Sequence, residues 1–143
     1  MHYFDDLQKL QKAYARLLEP VCRRWTLTRS ELDVLLFLHN NPHLDRAADI
    51  VACRGIAKSH VSASVAALEG RGCLRRRIDE ADRRTVRLSV TEAAGPIIEA
   101  GLAAQRDFGA LLLAGLSPQQ LQQGRELAEA VRRNIEKLEE PQA

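Results

Sequence analysis

Residues 55–88 read GIAKSHVSASVAALEGRGCLRRRIDEADRRTVRL, and a change of period inside this stretch decides the fold. From Lys58 to about Arg71, Val61, Val65 and Leu68 recur at i, i+4 and i+7, which gathers one apolar stripe on one side of a helix. The opposite arc carries Ser59, Ala63, Ala66 and Gly70, with His60 and Ser62 on its flanks. A solvated helix face ordinarily carries Lys and Glu. Small uncharged residues imply close approach to another surface, and the walls of a DNA major groove are one such surface. After Gly72 the period falls to two. Cys73–Ile78 and Arg84–Val90 read as strands, the second alternating Val86, Leu88 and Val90 with Thr85, Arg87 and Ser89. Asp79-Glu80-Ala81-Asp82-Arg83 between them is a polar turn. A helix followed by a basic β-hairpin is the plan of a winged helix.

Charge points the same way. Arg54 to Arg87 holds nine Lys and Arg against four acids, a local +5, leaving −3 for the rest of a chain whose formal net charge is +2. Local positive potential on a mildly acidic remainder suits a phosphate-binding surface, while a merely solvated basic hairpin has the same charge.

Upstream, Asp45 is positioned to cap a short helix from Arg46 to about Cys53 that buries Ala47, Ile50 and Val51. Gly55 permits a sharp turn, Ile56 fills the corner, and the two helices make a helix-turn-helix. Ala57 is a poor cap for the second, so its start is expected to be tighter in a complex than free. Earlier still, Thr28-Arg29-Ser30-Glu31 is a capping box opening a helix with Leu32, Leu35, Leu36 and His39 on one side, thickened by Val34, Phe37 and Leu38, and stopped by Asn40-Asn41-Pro42. At the start of the chain, Tyr3, Leu7, Leu10, Tyr14, Leu17 and Val21 form a heptad-like stripe, widened by Phe4 and Leu18, on a helix that Pro20 should end or kink. That stripe suits a partner subunit or the chain's own domain equally.

Downstream, Thr91-Glu92 opens a fifth helix with Gly95-Pro96 in its first turn, an apolar side running from Ile97 to Leu112, and Gly115 at its end. Ser117-Pro118-Gln119-Gln120 starts a last helix whose stripe is Leu121, Gly124, Ala128, Val131, Ile135 and Leu138; residues 139–143 read as a frayed tail. Apolar stripes at both chain ends around a basic centre suggest a symmetric dimer that spaces two reading helices by about 34 Å, one turn of duplex.

At 143 residues the chain has the length of one domain, with enough apolar residues for a packed core of Leu, Val, Ile and Ala. Cys22, Cys53 and Cys73 form no CxxC pair, and with no secretory leader and no apolar run near 20 residues a reduced, cytoplasmic setting is expected. No GxSxG, HExxH or P-loop marks an enzyme, and His39 and His43 lack ligand-spaced partners for a metal.

These residues resemble the MarR family of bacterial transcription regulators. The resemblance rests on Asp82-Arg83-Arg84 followed by Leu88-Ser89-Val90-Thr91-Glu92, similar to the family's D-x-R wing motif with its trailing L-x-x-T-E. Leu27-Thr28, Lys58-Ser59-His60-Val61-Ser62, Leu68-Glu69 and Gly72 also match, so that the clear likeness spans about Leu27 to Gly95. It implies a mainly α fold with a small β-hairpin wing: a winged helix-turn-helix over 27–90, flanked by a helical dimerisation region over 1–26 and 91–143, all in one continuous domain. It implies a homodimer through the first, fifth and sixth helices, no cofactor, and repression of transcription relieved by a small-molecule effector. By position, Asp82 would orient Arg84, and Arg84 would enter the minor groove. Arg83 would meet phosphate, with Arg75 and Arg87 beside it, and Lys58, Ser59, His60, Ser62 and Ala63 would face the major groove or its rim. Family members often carry a longer side chain where Ala63 stands. Its methyl can touch thymine but cannot pair with guanine, so reading here leans on DNA shape. Two other readings stay open: a winged-helix module that binds protein, and a regulator that senses oxidants through Cys22, Cys53 or Cys73.

Overall fold

The structure is a computed structural model that describes residues 3–139. Its elements run α1 (Tyr3–Trp25), α2 (Arg29–Asn40), α3 (Ala47–Arg54), α4 (Lys58–Gly70), β1 (Leu74–Ile78), β2 (Val86–Val90), a 3-10 turn (Glu92–Ala94), α5 (Gly95–Leu112) and α6 (Pro118–Glu139). The fold is mainly helical with one antiparallel two-stranded hairpin, as the sequence implies. The chain divides into two compact units, the first ending at Phe108 and the second beginning at Gly109. The frayed tail expected at 139–143 lies, Glu139 apart, outside the described residues, as does the side chain of Tyr3.

In the first unit α2 is the centre of the core, with every residue from Val34 to Leu38 buried along with Leu32. Burying one such side chain stabilises by about 1.5–3 kcal/mol, so α2 anchors its neighbours: Leu18 and Val21 of α1, Ile50 of α3, Val61, Val65 and Leu68 of α4, and Ile97 and Ile98 of α5. His39, expected on the buried side, is exposed, because the apolar run ends at Leu38 and the helix stops two residues later. The Thr28 box is present in full: Glu31 N donates to Thr28 Oγ1 at 3.1 Å and Thr28 N to the Glu31 carboxylate at 3.2 Å.

Pro20 does not end α1, which continues to Trp25. Proline removes one helical bond, but it sits on an exposed face while Leu18 and Val21 on either side are buried, and that burial offsets the loss. The helix stops at Thr26, which takes the left-handed conformation (φ 52°) without being glycine. Leu27 N then donates to Cys22 O at 2.8 Å and Thr26 N to Arg23 O at 3.4 Å, the paired closure of a Schellman turn. Gly72 (φ 73°) closes α4 in the same way, with Cys73 N to Leu68 O at 2.9 Å.

Asp45 is not the cap of α3. Arg46 holds that position and α3 starts at Ala47; the Asp49 carboxylate accepts from Arg46 N at 3.1 Å and from its guanidinium at 2.9 Å. Asp45 is engaged elsewhere, as described below. The hairpin is also shorter than the sequence suggests, since β2 begins at Val86 rather than Arg84, with residues 79–85 as its turn. Its register pairs Leu74 with Val90, Arg76 with Leu88 and Ile78 with Val86 on one face, and Arg75 with Ser89 and Arg77 with Arg87 on the other.

The second unit contains the end of α5, a turn closed by Gly115 (φ 80°), and α6. Ser117 and Gln120 cap α6 reciprocally, at 2.8 and 3.2 Å. On α6, Leu127, Val131, Ile135 and Leu138 are exposed, at 66, 47, 51 and 81%. Among the described residues no helix is long and apolar enough to cross a membrane.

Candidate nucleic-acid interface

The sequence of α4 sorts its residues as their periodicity implies. Val61, Ser64, Val65 and Leu68 are buried, while Lys58, Ser59, His60, Ser62, Ala63 and Ala66 are exposed. The exposed arc carries no carboxylate before Glu69. Ala57 supplies no side-chain cap, so the first amides of α4 keep their donors free of one. Ile56 packs against the core and sets the corner between α3 and α4.

Around the wing, Glu69, Asp79 and Asp82 each hold a partner within the fold. Glu69 takes Arg76, whose Nε reaches its carboxylate at 2.5 Å on the inner face of the hairpin. Asp79 Oδ1 accepts from the amides of Ala81 (2.8 Å) and Asp82 (3.2 Å), which folds the turn. Asp82 then accepts from Arg84 N at 3.1 Å and from Thr85 Oγ1 at 2.8 Å. Asp82 therefore holds Arg84 through the backbone, not by an ion pair between side chains. Among the described residues the guanidinium groups of Arg75, Arg77, Arg83 and Arg84 and the ammonium of Lys58 form no ion pair. Arg77 was not singled out in the sequence, though it lies two residues beyond Arg75 on the same hairpin face.

Arg87, expected at the DNA surface, is bonded within the chain. Its Nη1 donates to Asp45 Oδ1 at 2.7 Å and its Nε to Asp79 Oδ2 at 2.9 Å. The bonds to Asp45 and Asp79 hold its guanidinium well above the ordinary arginine range, and the bond from Arg87, ahead of the turn amides, holds the Asp79 carboxyl below the ordinary carboxylate range. Arg71 is likewise turned inward, donating to Thr26 O at 2.8 Å and to Trp25 O.

The cysteines are dispersed. Cys73 is buried, Cys53 exposed and Cys22 intermediate. Burial pushes the Cys22 thiol up, with Arg29 opposing more weakly, so it is a poor thiolate at neutral pH. Among the described residues no cluster of His, Cys, Asp and Glu is arranged to hold a metal.

A cavity of about 640 Å³ lies apart from the wing, walled by α1, α2, α5, the end of α3 and the turn before α4. Its polar lining comes from Gln11, Tyr14, Arg29, Asp33, Arg54 and Gln105. Gln105 Nε2 donates to the Tyr14 hydroxyl at 2.8 Å, and Arg29 bonds Asp33 at 2.9 Å while lying 4.9 Å from the centre of the Tyr14 ring. These residues carry no shared sequence pattern, which is why the sequence did not mark them.

Comparison with known proteins agrees with this geometry. A model of the MarR family matches residues 25–85. A MarR-family transcriptional regulator from Silicibacter pomeroyi superposes with a TM-score of 0.77 at 18% identity, over 90% of this chain and 86% of that one. BpsR of Bordetella bronchiseptica, whose DNA binding is regulated by 6-hydroxynicotinic acid, gives 0.70 at 19%, over 92% and 99%. MepR of S. aureus, solved in complex with DNA, gives 0.74 at 14%, over 94% and 96%. At such identities the likeness to solved structures is one of fold, and the family match falls on the helix-turn-helix and most of the wing. Through that winged-helix region, residues 25–85, the chain is similar to the MarR family.

Proposed function

We propose that the protein is a sequence-specific double-stranded DNA-binding regulator of transcription, a homodimeric repressor released by a small-molecule effector. One observation carries this reading: an exposed arc on α4 with no carboxylate before Glu69 shares the winged helix with five cations that have no ion-pair partner among the described residues. Unpaired cations repel one another and cost stability, so their accumulation is explained by an anionic partner.

In this reading α4 enters the major groove. Ser59, His60 and Ser62 offer donors and acceptors to base edges, and Ala63 offers its methyl to thymine. Arg84 enters the minor groove, where a narrow A·T-rich tract concentrates negative potential, and Lys58, Arg75 and Arg83 meet phosphates. With few base-pairing side chains on α4, discrimination comes largely from DNA shape. Dimerisation uses the apolar residues that α1, α5 and α6 leave exposed, among them Leu7, Leu111 and Ile135. The 640 Å³ cavity is the effector site. Arg54, which lies 5.3 Å from the Phe37 ring centre and has no ion pair among the described residues, joins Arg29 there, a lining suited to a small aromatic acid. BpsR responds to a compound of that kind.

Selection of bound fragments from the source genome tests the function. Recovery of discrete sites that are released by raised salt supports it; recovery of no site, with binding of protein partners that is insensitive to salt, supports the protein-interaction reading.

A further inference from the structure

Apolar packing reaches only the base of the hairpin. Leu74 and Leu88 are buried, but Ile78 and Val86, the last pair on the same face, are 60% and 40% exposed. A two-stranded hairpin is marginal alone, so its outer half needs another anchor. The structure supplies a polar one. Arg87 bridges Asp45, two residues ahead of α3, and Asp79, the first residue of the turn, while the next amide, Leu88 N, donates to Asp45 O at 2.7 Å. From Asp79 the bonds continue to the Asp82 amide, and from Asp82 to the Arg84 amide.

We infer that Arg87 is a positioning residue that fixes the wing to the helix-turn-helix, so that Arg83 and Arg84 are presented to DNA, and that it does not itself contact phosphate. The inference rests on the DNA-binding reading above. Charge argues for it: Asp45, Asp79 and Arg87 together sum to −1 on a surface otherwise rich in cations, which hinders phosphate binding unless the two carboxylates have another task. Geometry argues for it as well. The guanidinium directs Nε at one carboxylate and Nη1 at the other from fixed, separate corners of a planar fork, a geometry that the three donors on one lysine nitrogen do not reproduce.

The test uses the full chain carrying Asp45→Asn, Arg87→Lys or Arg87→Gln, with a duplex selected on the wild-type protein, and follows amide hydrogen exchange without DNA. Positioning requires that Asp45→Asn weaken binding by about fivefold although it removes a negative charge, and that its log K against log salt slope become shallower by about 1–2 as wing contacts are lost. Arg87→Lys should bind as poorly as Arg87→Gln. In all three variants the amides of residues 79–88 should exchange faster while those of α2 are unchanged. Equal or tighter binding by Asp45→Asn, wild-type binding by Arg87→Lys, or unchanged exchange in the wing overturns the inference. A wild-type chain that holds no duplex at low salt overturns the DNA reading instead, and with it the purpose of the clamp, while the exchange data still decide whether Arg87 anchors the hairpin.

Discussion

In the proposed interface, Arg84 is fixed by its backbone rather than by its side chain. Asp82 accepts from its amide, so the backbone direction is set while the guanidinium stays without an ion pair among the described residues. Replacing Arg84 by Ala should weaken duplex binding by roughly tenfold and make the salt slope shallower by about 1. The melting temperature should not move, because no bond among the described residues uses that guanidinium; equal affinity in anisotropy titrations would remove Arg84 from the interface. That Asp82 would engage Arg84 was legible in the sequence because the wing motif is local, although the backbone route between them was not. Arg87 was legible only as a cation. Its partner Asp45 lies 42 positions earlier, and nothing in the spacing of a strand announces such a bond.

Among the elements, the hairpin should be acid-sensitive in a defined direction. The carboxyl of Asp79 is held below its ordinary value by its bond from Arg87, then by the turn amides. A depressed carboxylate stabilises fully above its unfolded pKa of about 3.9 and loses that contribution as pH falls through the lower folded value. Wing amides followed by NMR should therefore stay protected down to about pH 4 and lose protection below it; loss beginning near neutrality would contradict the assignment. The junction of α1 and α4 gives a second expectation. Arg71, just after α4, donates to the carbonyls of Trp25 and Thr26 at the C-terminal end of α1, a favourable place for a cation. Arg71→Gln should lower the unfolding free energy in urea by about 1 kcal/mol, with partial recovery in Arg71→Lys; no change in stability would leave these bonds without consequence. Caps written in neighbouring residues, at Thr28 and Ser117, could be read directly. The closure at Thr26 could not, since the usual glycine is absent, and the passage of α1 through Pro20 depends on burial of Leu18 and Val21 that only tertiary packing reveals.

For the whole molecule, the apolar residues left exposed on α6 are the reason to expect two copies. Ile135→Glu places a charge on that stripe and should convert a dimer to a monomer in sedimentation velocity, with loss of duplex affinity because the second reading helix is no longer tethered; a dimer that survives the change would place the interface elsewhere. The order of helices and the winged-helix core were legible because periodicity, caps and turn residues agree along the chain. The 640 Å³ cavity was not, because it is assembled from single residues of separate helices, such as Tyr14, Arg29, Arg54 and Gln105. The most direct measurement is a salt titration of duplex binding by the wild-type protein, followed by fluorescence anisotropy on a fragment selected from the source genome. In the proposed dimer, five cations per subunit with no ion-pair partner among the described residues should give a log K against log salt slope of about −5 to −9; a slope near zero would contradict DNA binding through this face.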